Sequence, residues 1–236
     1  DIFTSLDLTS QKVAYDELNN RRGAVVAVDI NDGSIVTYVS SPSFSVNKIA
    51  NGLTQNEFDE LINDDDKPFF DRAAQGRYSP ASTIKPAIGL FGIDKDILDW
   101  EYTIQDPGFF ILPEDGRIYR GWKKGGHGEI NLKDAIIESS NTFFFSLAYK
   151  TEIEGLRAHL SNFGFGKNVC DDCFMPDDGL LPSPRWKMNT HNFGWFKGDT
   201  VNMGVGQGYI NATPIQLAYY SAFLATKGNI NQFSFV

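Results

Sequence analysis

Leu8, Val13, Ala14 and Leu18, set among Gln, Lys, Asp and Glu, predict a short amphipathic helix over residues 8–20. Gly23-Ala24-Val25-Val26-Ala27-Val28-Asp29-Ile30 then forms a strongly apolar run. Asn31-Asp32-Gly33-Ser34 carries the Asp-Gly turn signal, and Ile35–Val39 is a second apolar run. The two runs predict an antiparallel hairpin at about 23–40, apolar on both faces and so covered by a helix or another layer on each side. Residues 56–67 gather Glu57, Asp59, Glu60, Asp64, Asp65 and Asp66, without the spacing or the glycine of an EF-hand, and read as a solvated helix ending in an acidic loop. From about Asp99 to Gly128 the pattern dissolves into a loop-rich stretch. Leu132, Ala135, Ile136 and Ile137 predict a helix over 131–139, and Thr142–Ala148 predicts a buried apolar one. The last clear helix starts after Asn211, with Thr213 as N-cap and Pro214 at its first position.

Composition changes this picture mainly by exclusion. Of 236 residues, 42% are hydrophobic and 22% charged, which fits folded globular structure of one large or two small domains. The formal charge of −9 argues against nucleic acid as a partner and against a polybasic membrane surface. Arg117, Arg120, Lys123 and Lys124 form a local basic cluster, suited to an anionic substrate or polymer and equally to a solvated loop. No run of about 18 apolar residues predicts a transmembrane helix. The chain starts at Asp1 with neither Met nor a leader, and is expected to be a piece of a longer protein. Cys170 and Cys173 lack a second pair for zinc and a βαβ setting for redox catalysis, leaving a short-loop disulfide or two free thiols. Gly204–Tyr209 contains G-x-G-x-G, which lacks the spacing and the parallel βα unit of a dinucleotide loop.

The candidate chemistry lies in Gly76-Arg77-Tyr78-Ser79-Pro80-Ala81-Ser82-Thr83-Ile84-Lys85-Pro86. Proline is tolerated only in the first turn of a helix, so Pro86 predicts a helix beginning near Ser82, with Ser82 as its N-cap. Ser82 and Lys85 would then share one face, one turn apart, at the positive end of the helix dipole. A serine hydroxyl needs a neighbouring base to become a nucleophile, and a lysine kept neutral by burial or nearby cations can be that base. Ser139-Ser140-Asn141 falls on the predicted connection between two helices. There the Ser139 hydroxyl can relay a proton and the Asn141 amide can hold a peptide carbonyl, although both residue types also favour ordinary N-caps.

Ser82-x-x-Lys85, Ser139-x-Asn141 and the Gly206-Gln207-Gly208…Ala212-Thr213-Pro214 block occur in that order, and together they resemble the transpeptidase domain of class B penicillin-binding proteins. Thr4–Leu8, Tyr38–Phe44, Asp106-Pro107-Gly108 and Trp122–Gly128 are most similar to its penicillin-binding protein 2 branch. The resemblance implies an α+β serine-transpeptidase fold, an antiparallel sheet flanked by helices, with a helical subdomain over about 75–225. It implies a D,D-transpeptidase that crosslinks peptidoglycan stem peptides through a Ser82 acyl-enzyme and is trapped by β-lactams. Lys85 would be the base, Ser139 a proton carrier and Asn141 the binder of the peptide amide, with no cofactor. Elongation-complex partners, including a RodA-type polymerase, and a place on the periplasmic face of the inner membrane are implied as well. The family's K-T-G or K-S-G motif has no counterpart before Val236, since Thr226-Lys227-Gly228 differs in order and position. The fold is therefore expected to lack its last strands, and the chain alone to have little or no activity. Some similar members hold zinc through two aspartates, a histidine and a cysteine; the matching positions here are Asp106, Gly121, His127 and Ser140, so no metal is expected. A β-lactamase or β-lactam sensor using the same Ser82 and Lys85, and a non-catalytic scaffold for cell-wall assembly, are the competing readings.

Overall fold

A computed structural model describes residues 2–236. The elements run α1 (Leu8–Leu18), β1 (Gly23–Val28), β2 (Ile35–Ser41), α2 (Val46–Ala50) and α3 (Gln55–Asn63). A 3₁₀ turn (Ala81–Ile84) leads directly into α4 (Lys85–Asp94). Next come β3 (Thr103–Asp106), β4 (Phe109–Ile111), β5 (Ile118–Arg120) and β6 (Gly128–Asn131), then α5 (Leu132–Ile137), α6 (Asn141–Tyr149) and α7 (Ile153–Asn162). The chain ends with α8 (Pro184–His191), α9 (Lys197–Met203) and α10 (Pro214–Ala225).

These elements divide into two compact units. One comprises Asp1–Tyr78, Gly164–Gly179 and Ala212–Val236. Its β1 and β2 pair antiparallel from Gly23↔Ser41 to Val28↔Ile35, as the apolar runs predict. The α1 helix lies along β2, where the Gln11 side chain donates to the Tyr38 carbonyl (2.6 Å) and accepts from the Tyr38 N–H (2.8 Å), so one amide satisfies both backbone groups of an edge residue. α10 packs against β1, and the core between them gathers Ile35, Val169, Cys170, Ile215, Ala222 and Phe233. Thr213 caps α10 in a reciprocal capping box with Gln216. The buried Gln216 side chain also donates to the carbonyls of Lys167 and Asp178, both at 2.8 Å. These bonds tie α10 to residues 164–179 within the hairpin's unit. Cys170 and Cys173 form a disulfide. α3 buries none of its residues, in line with the solvated acidic helix expected there.

The second unit comprises Ser79–Phe163 and Leu180–Asn211. Its centre is α6, with Phe143, Phe144, Phe145, Leu147 and Ala148 all buried. α4 runs beside it and is glycine-dependent: a Cβ on Gly89 would sit 2.8 Å from Leu132 Cδ1. The stretch expected to be loop contains two short antiparallel pairs, β3 with β6 and β4 with β5. Their three or four residues apiece are too few to show a period of two against intervening Gly, Pro and charged positions. Arg117, Arg120, Lys123 and Lys124 are all exposed on and beside this region.

Candidate active site

Ser82 does not cap a long helix. It sits inside the 3₁₀ turn Ala81–Ile84, and α4 begins only at Lys85, with Pro86 in its first turn. The cause lies one residue earlier, where Ala81 takes the left-handed backbone conformation (φ 48°). That conformation lets the Ala81 N–H donate to the Gly206 carbonyl at 2.9 Å, a carbonyl that Ser79 Oγ also reaches. Gly206 is itself at φ 68°, and a Cβ there would lie 2.2 Å from the Ala81 oxygen, so only glycine permits this approach. Ser82 nevertheless stays in line with Lys85, because side chains at i and i+3 eclipse in a 3₁₀ helix. Ser82 is exposed, while Lys85 is 1% exposed.

Lys85 connects the two sequence motifs. Its Nζ lies 2.7 Å from the Ser139 carbonyl, 2.7 Å from Asn141 Oδ1 and 3.1 Å from Ser139 Oγ, and 5.5 Å from the centre of the Phe144 ring. Burial pushes its pKa down to about 8. At pH 7, about a tenth of such a lysine is neutral, several hundred-fold more than for a free one. The geometry also fixes what the neutral amine does. The carbonyl and Oδ1 only accept, so they take its two N–H bonds, and the lone pair is left facing the one neighbour that can donate, the Ser139 hydroxyl. A base, a hydroxyl able to pass a proton to it and an accessible serine one turn away are the parts needed for acyl transfer. With Oδ1 engaged by Lys85, Asn141 has its amide N–H₂ free to donate to a substrate carbonyl.

Ser139 reaches Lys85 because it too is left-handed (φ 52°), in the turn between α5 and α6. The N-cap of α6 is neither Ser139 nor Asn141 but Ser140, whose Oγ accepts from the Phe143 N–H at 3.2 Å. Ser140 Oγ in turn donates to Asp106 Oδ2 at 2.8 Å, and His127 Nδ1 lies 2.7 Å from the same oxygen. Asp106 Oδ1 accepts from the Gly108 N–H at 2.7 Å. Burial alone would raise the Asp106 pKa, but the bonds from His127, Ser140 and Gly108 outweigh it and hold the carboxyl below its ordinary value. His127 Nδ1 and Ser140 Oγ are both spent on Asp106 Oδ2, and among the described residues no three His, Cys, Asp or Glu side chains gather where a metal could be held. Gly121 offers no ligand, and a Cβ there would come within 3.2 Å of the Gly108 oxygen. The four positions therefore do not fit a tetrahedral zinc ion. Thr226-Lys227-Gly228 ends α10, where Thr226 Oγ1 bonds the Ala222 carbonyl at 2.9 Å.

Residues 23–236 match the family model of the penicillin-binding protein transpeptidase domain. The peptidoglycan D,D-transpeptidase MrdA of Acinetobacter baumannii is 42% identical over 229 residues, 97% of this chain and 34% of the relative. Among solved structures, Pseudomonas aeruginosa PBP2 in complex with WCK 5153 superposes with a TM-score of 0.94 at 39% identity, covering 100% of this chain and 54% of the other. Helicobacter pylori PBP2, solved in complex with MreC, gives 0.92 at 32% identity, with 98% and 43% covered. The chain thus spans about a third of the curated relative.

Proposed function

Because the chain belongs to the penicillin-binding protein transpeptidase family, we propose that the protein it forms part of is a serine D,D-transpeptidase crosslinking peptidoglycan during cell elongation. The observation that carries the reading is the buried Lys85 held by both Ser139 and Asn141, one turn from an exposed Ser82. Ser82 Oγ attacks the carbonyl of the penultimate D-alanine of a stem peptide. Its proton passes through the Ser139 hydroxyl to neutral Lys85, and on to the departing D-alanine amine. Asn141 Nδ2 donates to the peptide's amide carbonyl. An amine of a neighbouring strand then takes the acyl group and returns the proton, restoring Ser82. A β-lactam enters the same first step and stays attached, because its ring-opened acyl group retains the leaving nitrogen.

The MreC complex of the Helicobacter relative supports a place in the elongation machinery, and a RodA-type polymerase is the partner we propose for the glycan strands. Among the described residues no helix is long and apolar enough to cross a membrane. We place the domain on the periplasmic face of the inner membrane, where stem peptides are crosslinked. Labelling with a fluorescent penicillin followed by intact mass, on this chain and on a version extended through a K-T-G motif, tests the reading. A long-lived adduct on the extended protein that Ser82→Ala abolishes is expected. A folded extended protein that takes up no label sinks the enzymatic reading and leaves the scaffold, whereas rapid loss of the adduct points to a β-lactamase.

A further inference from the structure

Asp106 is a buried carboxylate at the end of β3 whose oxygens accept hydrogen bonds from Gly108, His127 and Ser140, not from Ser82 or Lys85. Its reach toward the chemistry runs through Ser140, which is fully buried and lies between the two residues that hold Lys85. The Ser140 hydroxyl has one proton, and Asp106 takes it; its lone pair caps α6 at the Phe143 N–H. Its backbone N–H bonds the Ala135 carbonyl at 2.9 Å. With these groups committed, the direction in which the chain leaves Ser140 on either side is fixed. On one side stands Ser139 in its left-handed conformation, on the other Asn141 at the first position of α6. His127 holds the carboxylate from behind with Nδ1, and the His127 N–H donates to the Asp106 carbonyl at 3.2 Å, so β3 and the His127 loop are latched at two points.

We propose that Asp106, braced by His127, is a positioning residue for acylation: a metal-free hydrogen-bond clasp that aims Ser139 and Asn141 at Lys85 through Ser140. The inference rests on the transpeptidase reading. Two of the atoms a metal would need, His127 Nδ1 and Ser140 Oγ, are already spent on Asp106 Oδ2. Freeing Ser140 lets the Ser139–Asn141 turn relax and wets Lys85. Wetting returns the amine toward an ordinary lysine pKa, so less of it is neutral at a given pH.

The test uses the intact, extended protein and the second-order rate of penicillin acylation measured against pH, with thermal unfolding as the check on folding. Asp106→Asn is expected to slow acylation by about 10- to 100-fold. Its acid limb moves to higher pH, which a loss of stability alone would not produce. Where Asp106→Asn does not unfold cooperatively, Ser140→Ala carries the same expectation by removing a single link. Purified wild-type protein is expected to hold no stoichiometric zinc and to acylate equally fast after chelation. One zinc per chain whose removal slows acylation overturns the clasp, as do folded variants with wild-type rate and an unmoved acid limb. A wild-type protein that forms no Ser82 adduct overturns the transpeptidase reading itself, so the two failures are distinct.

Discussion

At the scale of single residues, Lys85 has the most to explain, since a lysine in an apolar interior is costly unless it is neutral or well bonded. Here it is partly both. In the proposed mechanism acylation needs the neutral amine, so its rate is expected to rise with pH through about 8 and level off above it, as a pH profile of penicillin labelling will show. Stability follows with the same sign: between about 8 and the ordinary lysine value the unfolded chain binds the extra proton, so the fold gains stability as pH rises through that window. Lys85→Met keeps the side-chain volume and removes the proposed base, and should slow acylation by about 10²–10⁴-fold in the same assay. Gly206 shows how a residue distant in sequence shapes the Ser82 turn. Gly206→Ala drives a methyl group into the Ala81 carbonyl at a left-handed position. It is expected to lower stability by about 2 kcal/mol in urea unfolding and to cut acylation with it.

At the scale of elements, boundaries decided more than types. The hairpin and the capped start of α10 were legible because their signals are local: an Asp-Gly turn between apolar runs, and Thr-Pro followed by a glutamine. Thr213→Ala removes one cap and should lower stability by about 1 kcal/mol, seen as a lower unfolding midpoint without loss of penicillin acylation in the extended protein. The junction at Ser82 was misread as the start of an α-helix, because its real geometry is set by Gly206, more than a hundred residues away. The strands of the 99–128 stretch are each too short for a period of two to emerge; β4 and β5 pair locally, whereas β3 finds β6 more than twenty residues on.

At the scale of the whole molecule, non-local closure matters most. In the hairpin's unit, Phe233 bonds the Val169 carbonyl and receives Asp171, both at 2.9 Å, and Asp172 accepts from Phe235 and Val236. The Cys170–Cys173 disulfide holds that receiving turn in shape. Replacing both cysteines with serine should lower stability by about 2 kcal/mol on the chain-entropy model for so short a loop. Hydrogen exchange at the Phe233 amide should quicken in the same variant, and an unchanged rate would show that the turn holds itself. By itself the sequence determined the hairpin, the Thr213 cap of α10 and the spacing within the Ser82–Lys85 and Ser139–Asn141 motifs, since each depends on residues within a few positions of one another, while the α+β class followed from the resemblance. Only the tertiary structure decided that Lys85 is buried against Ser139 and Asn141, that Ser140 caps α6 and hangs from Asp106, and that Gly206 sets the turn holding Ser82. Those outcomes depend on which surfaces exclude water and which backbones touch, and both are properties of the packed chain.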